Sequence, residues 1–193
     1  MQDWNVIITV QKGGFKRAIN FFKAFGPVSK TGFYNVLVSK VTDVDHMMQA
    51  LNKRISENPD ILTWLARVIP VTHMVDFQTG EELESRTKEI LHSRATELAG
   101  KGFHIRVHRR GLKGIFSGWE TEKRLDEFLL QELEKAGTPG RIDFQTPDAV
   151  ILIETLGPTA GLSYWTSEDL KKYPLLGFSA YLAEELEEQS LQS

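Results

Sequence analysis

The sequence contains no cysteine, which excludes disulfides, thiolate metal sites and a cysteine nucleophile. It has no apolar run approaching the roughly 18 residues that a membrane-crossing helix requires, so no membrane partner is expected. Residues 1–4 lack a basic segment followed by an apolar core; no secretory signal is expected, and the cytoplasm is the expected location. Repeats and low-complexity stretches are absent. Nor is there a large charge of either sign. The formal net charge is -3, and Glu184, Glu185, Glu187 and Glu188 sit in a polar stretch read as an acidic tail over residues 181–193. Setting those four aside leaves 22 acidic residues against 23 basic ones. A body so close to neutral can bind nucleic acid only through local patches, and that binding should be salt-sensitive. What remains is an ordinary globular composition, 41% hydrophobic and 25% charged over 193 residues, enough for one large domain or two small ones.

The first third reads as strand, helix, strand, helix, strand. Residues 4–10 are rich in β-branched side chains and stop at Lys12, Gly13 and Gly14. Apolar residues at 15, 18, 19, 22 and 25 have helical spacing, closed by Gly26 and Pro27. Residues 32–41 alternate as a strand, Met47, Leu51 and Ile55 mark a second helix, and residues 62–71 read as a strand. Such a βαββ-type order predicts an N-terminal ferredoxin-like domain over residues 1–74, with 72–79 as the join. The second part opens on the capping box of Thr79 and Glu82, ahead of a helix with Leu83, Ile90, Leu91, Ala95 and Leu98 inward. A second capping box at Ser117 and Glu120 precedes a helix burying Leu125, Phe128, Leu129 and Leu133. Strands are expected at 141–145 and 149–155. The uninterrupted apolar run 149–153 belongs in the middle of a covered sheet.

Between these two capped helices lies the most informative stretch. Phe103, Ile105 and Val107 alternate with His104, Arg106 and His108, and Arg109, Arg110 and Lys113 follow. Between Gly100 and Trp119 there are five Lys or Arg and no Asp or Glu. The pattern predicts a strand with one apolar and one exposed cationic face, running into a basic turn suited to phosphate. Lys101, His104, Arg106, His108, Arg109, Arg110 and Lys113 are therefore the candidate RNA-binding surface. Lys16 and Arg17, with Lys12 beside them, form a smaller cluster at a helix start, where free N–H groups can receive phosphate. His104 and His108 share a strand face at a spacing that two metal ligands could use, but no third ligand is close in sequence, and no metal is expected. Trp64, Trp119, Tyr164 and Trp165 are of the kind that stack on unpaired bases. Aromatic residues at element starts more often pack into cores, so they stay outside the candidate surface.

The strand 103–108 and the strand–turn–strand 141–154, with Pro147-Asp148 between two apolar strands and Glu154 at the end, resemble a THUMP domain. Residues 66–71 resemble the segment leading into that domain, and 161–165 with 170–173 resemble the ending of the tRNA acetyltransferase adaptor group. The fold class so implied is α+β/α/β, a ferredoxin-like domain followed by a THUMP domain over residues 75–180. The resemblance implies a protein that binds the acceptor end of tRNA and presents it to a separate modification enzyme. In the adaptor group that partner is the RNA acetyltransferase forming N4-acetylcytidine. No cofactor is implied. No Gly-rich phosphate loop, nucleophile elbow or methyl-donor site is visible, and only residues 181–193 follow the second domain, so a non-catalytic RNA-binding protein is expected. Two alternatives stay open: a ferredoxin-like protein-interaction or regulatory module whose basic patch docks an acidic protein, and the RNA-binding subunit of a split thiolation or methylation enzyme. The sequence leaves the oligomeric state undetermined.

Overall fold

The computed structural model describes residues 3–177. The acidic stretch 181–193 and the last residues of the expected second domain, 178–180, lie outside the described residues. The chain forms two compact units. One is Thr72–Glu168; the other comprises the chain up to Val71 together with the segment from Asp169.

In the first unit β1 (Val6–Val10), α1 (Phe15–Phe22), β2 (Val28–Lys30), β3 (Val36–Ser39), α2 (Val44–Glu57) and β4 (Leu65–Pro70) follow one another. The strands form one sheet in the order β2-β3-β1-β4, antiparallel throughout. The middle strands β1 and β3 carry the most apolar side chains, and Val6, Ile8, Leu37, Phe22 and Met47 are fully buried. Helix α1 ends three residues before the expected stop. Ala24 and Phe25 turn back to the carbonyls of Phe21 and Phe22, which tightens the last turn before Gly26 and Pro27. The expected strand 32–41 shrinks to four residues because Asn35 takes a φ of 58° and a turn through Thr31 and Phe33 precedes it. Asp43 caps α2 by accepting from the backbone N–H of His46.

The second unit comprises β5 (His73–Asp76), α3 (Gly80–Arg94), β6 (Gly102–His108), α4 (Gly118–Lys135), β7 (Arg141–Ile142), β8 (Ala149–Leu156) and β9 (Thr159–Thr166). A short helix, α5 (Ser167–Lys172), follows. Its sheet runs β5-β9-β8-β6-β7, with β6 parallel to both neighbours and β8 antiparallel to β9. The apolar run 149–153 lies in the central strand, as its lack of alternation predicts. Phe103 and Ile105 of β6 and Ile151 and Ile153 of β8 share one core with Leu83 and Leu91 of α3 and Leu125, Leu129 and Leu133 of α4. Both capping boxes form: Thr79 accepts from Glu82 N–H and Ser117 from Glu120 N–H. Three strands were absent from the sequence reading, β2 among them, since Val28–Lys30 lies between the expected helix and the expected strand 32–41. β5 occupies the expected join, and β9, interrupted in pattern by Gly161 and Ser163, is recruited by the apolar β8 beside it.

Candidate nucleic-acid interface

Strand β6 sits near the end of its sheet, where the short β7 covers only Gly102 and Phe103. Beyond that point the outer edge of β6 would present bare backbone N–H groups, an edge that proteins cover or block. Here α4 covers it with two carboxylates one helical turn apart. Asp126 accepts from Ile105 N–H at 3.0 Å, and Glu122 accepts from Val107 N–H at 2.7 Å. The match is geometric, because one helical turn of about 5.4 Å nearly equals two strand residues of about 6.6 Å. Burial pushes the Asp126 carboxyl up to about 8; the Ile105 N–H opposes this, Glu122 adds to it by its charge, and Arg106 offsets part. At neutral pH Asp126 is therefore mainly protonated.

The cationic face expected on β6 is occupied within the fold. Arg106 pairs with Glu122 at 3.3 Å, both side chains largely buried, and its guanidinium lies 6.0 Å from the Phe144 ring centroid. His104 is 1% exposed; its Nδ1 is 2.8 Å from the Asp143 carbonyl, and Phe144 covers its ring at 5.2 Å. The expectation that these two side chains face solvent is corrected: the loop after β7 folds over them, which strand alternation alone cannot foresee. His108, opposite Glu154 in the register, is half-buried. Arg110 is likewise drawn in. Its guanidinium pairs with Glu154, a carboxylate 1% exposed, and its backbone N–H donates to Thr155 Oγ1 at 2.9 Å.

The loop after β6 is a different surface. Gly111, Leu112 and Gly114 have φ of 87°, 53° and 84°, so the chain turns sharply and holds Lys113 outward. Arg109 is half-buried, donating to the Gly111 carbonyl at 2.9 Å and lying 6.0 Å from the Phe116 ring centroid. Ile115 and Trp119 are 52% and 68% exposed, and Lys123 Nζ stands 5.9 Å from the Trp119 ring. Trp119 is the residue the sequence reading passed over. The signal was present: two positions after the cap Ser117, a side chain in a first turn can point outward as readily as inward. Lys101 lies at the opposite end of β6, roughly 20 Å from this loop, and does not join it. Lys16 and Arg17 are exposed on α1 of the other unit, where Arg17 faces Asp60 at 3.5 Å. Among the described residues no three His, Asp or Glu side chains converge to hold a metal ion, and no helix is long and apolar enough to cross a membrane.

No family model matches the sequence, and no curated protein matches it. Solved structures share its fold. PH1313 from Pyrococcus horikoshii Ot3 superposes with a TM-score of 0.60 at 13% identity, over 84% of this chain and 54% of that one. A possible methylase from Clostridium difficile 630 gives 0.54 at 14% identity, over 83% and 40%. A 4-thiouridine synthetase solved in complex with RNA and bound ATP gives 0.51 at 10% identity, over 85% and 42%. At such identities the likeness defines the fold, a mixed α/β arrangement of two sheets with helices, of the THUMP type that the sequence resembles. The chain spans about half the length of these structures or less. The expectation of a non-catalytic protein is overturned by this grouping. A synthetase and a possible methylase share the fold, and more than half of each lies beyond the part this chain matches.

Proposed function

We propose that the chain is the RNA-recognition part of an RNA-modifying enzyme and that it holds tRNA by its acceptor end while a nucleotide is modified. The observation that carries this reading is the exposed trio Lys113, Trp119 and Lys123, backed by Arg109, on a fold shared with a synthetase solved in complex with RNA. Cations that neutralise phosphate beside an aromatic face that can stack on an unpaired base are the two elements single-stranded RNA binding uses. In this reading Arg109, Lys113 and His108 serve the RNA surface. His104, Arg106 and Arg110 position the strand and loop that display it. We propose a ferredoxin-like domain over residues 1–74 and a THUMP domain over residues 75–180. This division differs from the two compact units at 72–74, where β5 begins, and from 169 onward, which belongs with the first unit. The βαββαβ order and the sheet order β2-β3-β1-β4 support the first half.

The narrower form, in which the modification is N4-acetylation by an RNA acetyltransferase, rests on the resemblance of residues 161–165 and 170–173 to the adaptor group. Titration with deacylated tRNA, with and without its 3′-terminal nucleotides, tests the reading for wild type and for Lys113→Ala/Lys123→Ala. Binding that needs both the 3′ end and the lysines supports it. Equal binding by the variant moves the RNA surface elsewhere, and no binding to any tRNA leaves the protein-interaction module as the better reading.

A further inference from the structure

In the first unit a cleft of about 300 Å³ opens between α1, α2 and the 3₁₀ helix Pro59–Thr63. Its walls are rich in donors: Arg17 and Asn20 from α1, Arg54 from α2, and Asn58 and Trp64 flanking the turn. Asp60 is the one carboxylate among the residues lining it, against two guanidiniums. Arg54 is exposed and has no carboxylate partner among the described residues. Arg17 meets Asp60 only loosely, at 3.5 Å with both side chains about 60% exposed. An exposed pair of that kind exchanges readily for a stronger anion. Phe21 and the half-buried Trp64 add flat apolar surface beside these donors.

The basic turn at the start of α1 adjoins the same cleft. Gln11 N–H donates to the Trp64 carbonyl at 2.9 Å, and a Cβ on Gly14 would lie 2.2 Å from that oxygen. Only glycine allows the backbone this close, so Gly14 fastens the turn bearing the exposed Lys12 and Lys16 beside Trp64.

We infer that this cleft binds a nucleoside phosphate, its phosphate held by Arg17 and Arg54 and its base laid against Trp64. Guanidiniums suit phosphate because their fork matches two oxygens, and an indole face accepts any base. The ligand chemistry could be supplied by a free nucleotide or by the phosphorylated end of an RNA chain; only the second source rests on the RNA reading above. The test is calorimetric titration of the full chain with adenosine 5′-monophosphate, with adenosine, and with an RNA tetranucleotide carrying or lacking a 5′-phosphate. Wild type is compared with Arg54→Ala and Arg17→Ala, both exposed positions whose loss leaves the fold intact. Binding of the monophosphate, weaker for adenosine and reduced about tenfold or more in either variant, supports the cleft as a free-nucleotide site. Arginine-dependent binding of the phosphorylated tetranucleotide alone supports it as a chain-end site. Binding of neither probe, or binding unchanged in both variants, overturns the inference. If tRNA binding at the same time still requires Lys113 and Lys123, the proposed function stands without it.

Discussion

Replacing Asp126 by Asn should remove a loss of stability that the fold otherwise suffers as pH rises. The folded carboxyl keeps its proton up to about pH 8, whereas the unfolded chain releases it near 3.8. Between those values the native state binds one more proton than the unfolded state, so stability falls as pH rises from about 4 to about 8 and then levels off. Each pH unit in that window corresponds to about 1.4 kcal/mol, so the wild type loses roughly 3 kcal/mol between pH 5 and pH 7 from this group. Asn cannot ionise, yet its carbonyl oxygen can accept from Ile105 N–H as Asp126 Oδ1 does at 3.0 Å. The variant should therefore gain on the wild type by roughly 3 kcal/mol over the same two units, about 5–10 °C in Tm for a chain of this length. Thermal denaturation of both proteins at pH 5, 6, 7 and 8 measures the gap, and every other titrating group cancels in the comparison. A gap that stays constant across the series would mean that Asp126 is ionised in the folded protein and that the edge of β6 is held by a charge.

Three further outcomes are expected. Arg110→Ala should lower stability by about 3–5 kcal/mol in denaturant titration, because it strips the buried Glu154 of a guanidinium partner. Lys113→Ala, at an exposed loop position, should stay within about 0.5 kcal/mol of wild type in the same assay; equal losses would place the two side chains in the same environment. Lys113→Ala/Lys123→Ala should weaken tRNA binding and reduce the slope of log affinity against log salt by about 2. An unchanged slope would show that neither lysine meets a phosphate. Trp119→Ala, which removes a side chain 68% exposed, should weaken binding of single-stranded RNA by about 1–3 kcal/mol with little change in Tm. Equal affinity for both proteins would remove the indole from the interface.

Local chemistry was legible in the chain wherever one element carries its own instruction. The caps Thr79 and Ser117 formed with the partners their spacing gives, because a capping bond spans only three residues. The helical stripes and the central placement of β8 followed from periodicity and its absence. β9 was not legible, since Thr159–Thr166 mixes Gly161, Ser163 and threonines with apolar residues and becomes a strand by pairing with β8. The candidate surface was only partly legible. Alternation along β6 separated the core side chains Phe103 and Ile105 from His104 and Arg106, but it carried no information on what would cover the second set.

The sequence by itself determined that this chain has helices and strands in a repeating α and β order, a basic stretch at 101–113, and no thiol chemistry. Those properties depend on residue type and on neighbours a few positions away. Tertiary structure decided which of the cations are used up inside the fold. Arg106 finds Glu122 sixteen residues on, and Arg110 finds Glu154 forty-four residues on, so both charges are neutralised by side chains that sequence proximity cannot identify. Lys113 stays outward because the turn of Gly111, Leu112 and Gly114 carries it away from the core, and Trp119 because it occupies the first turn of α4. The difference is one of range: propensity and periodicity act along the chain, whereas the desolvation of a charge depends on everything the fold brings against it.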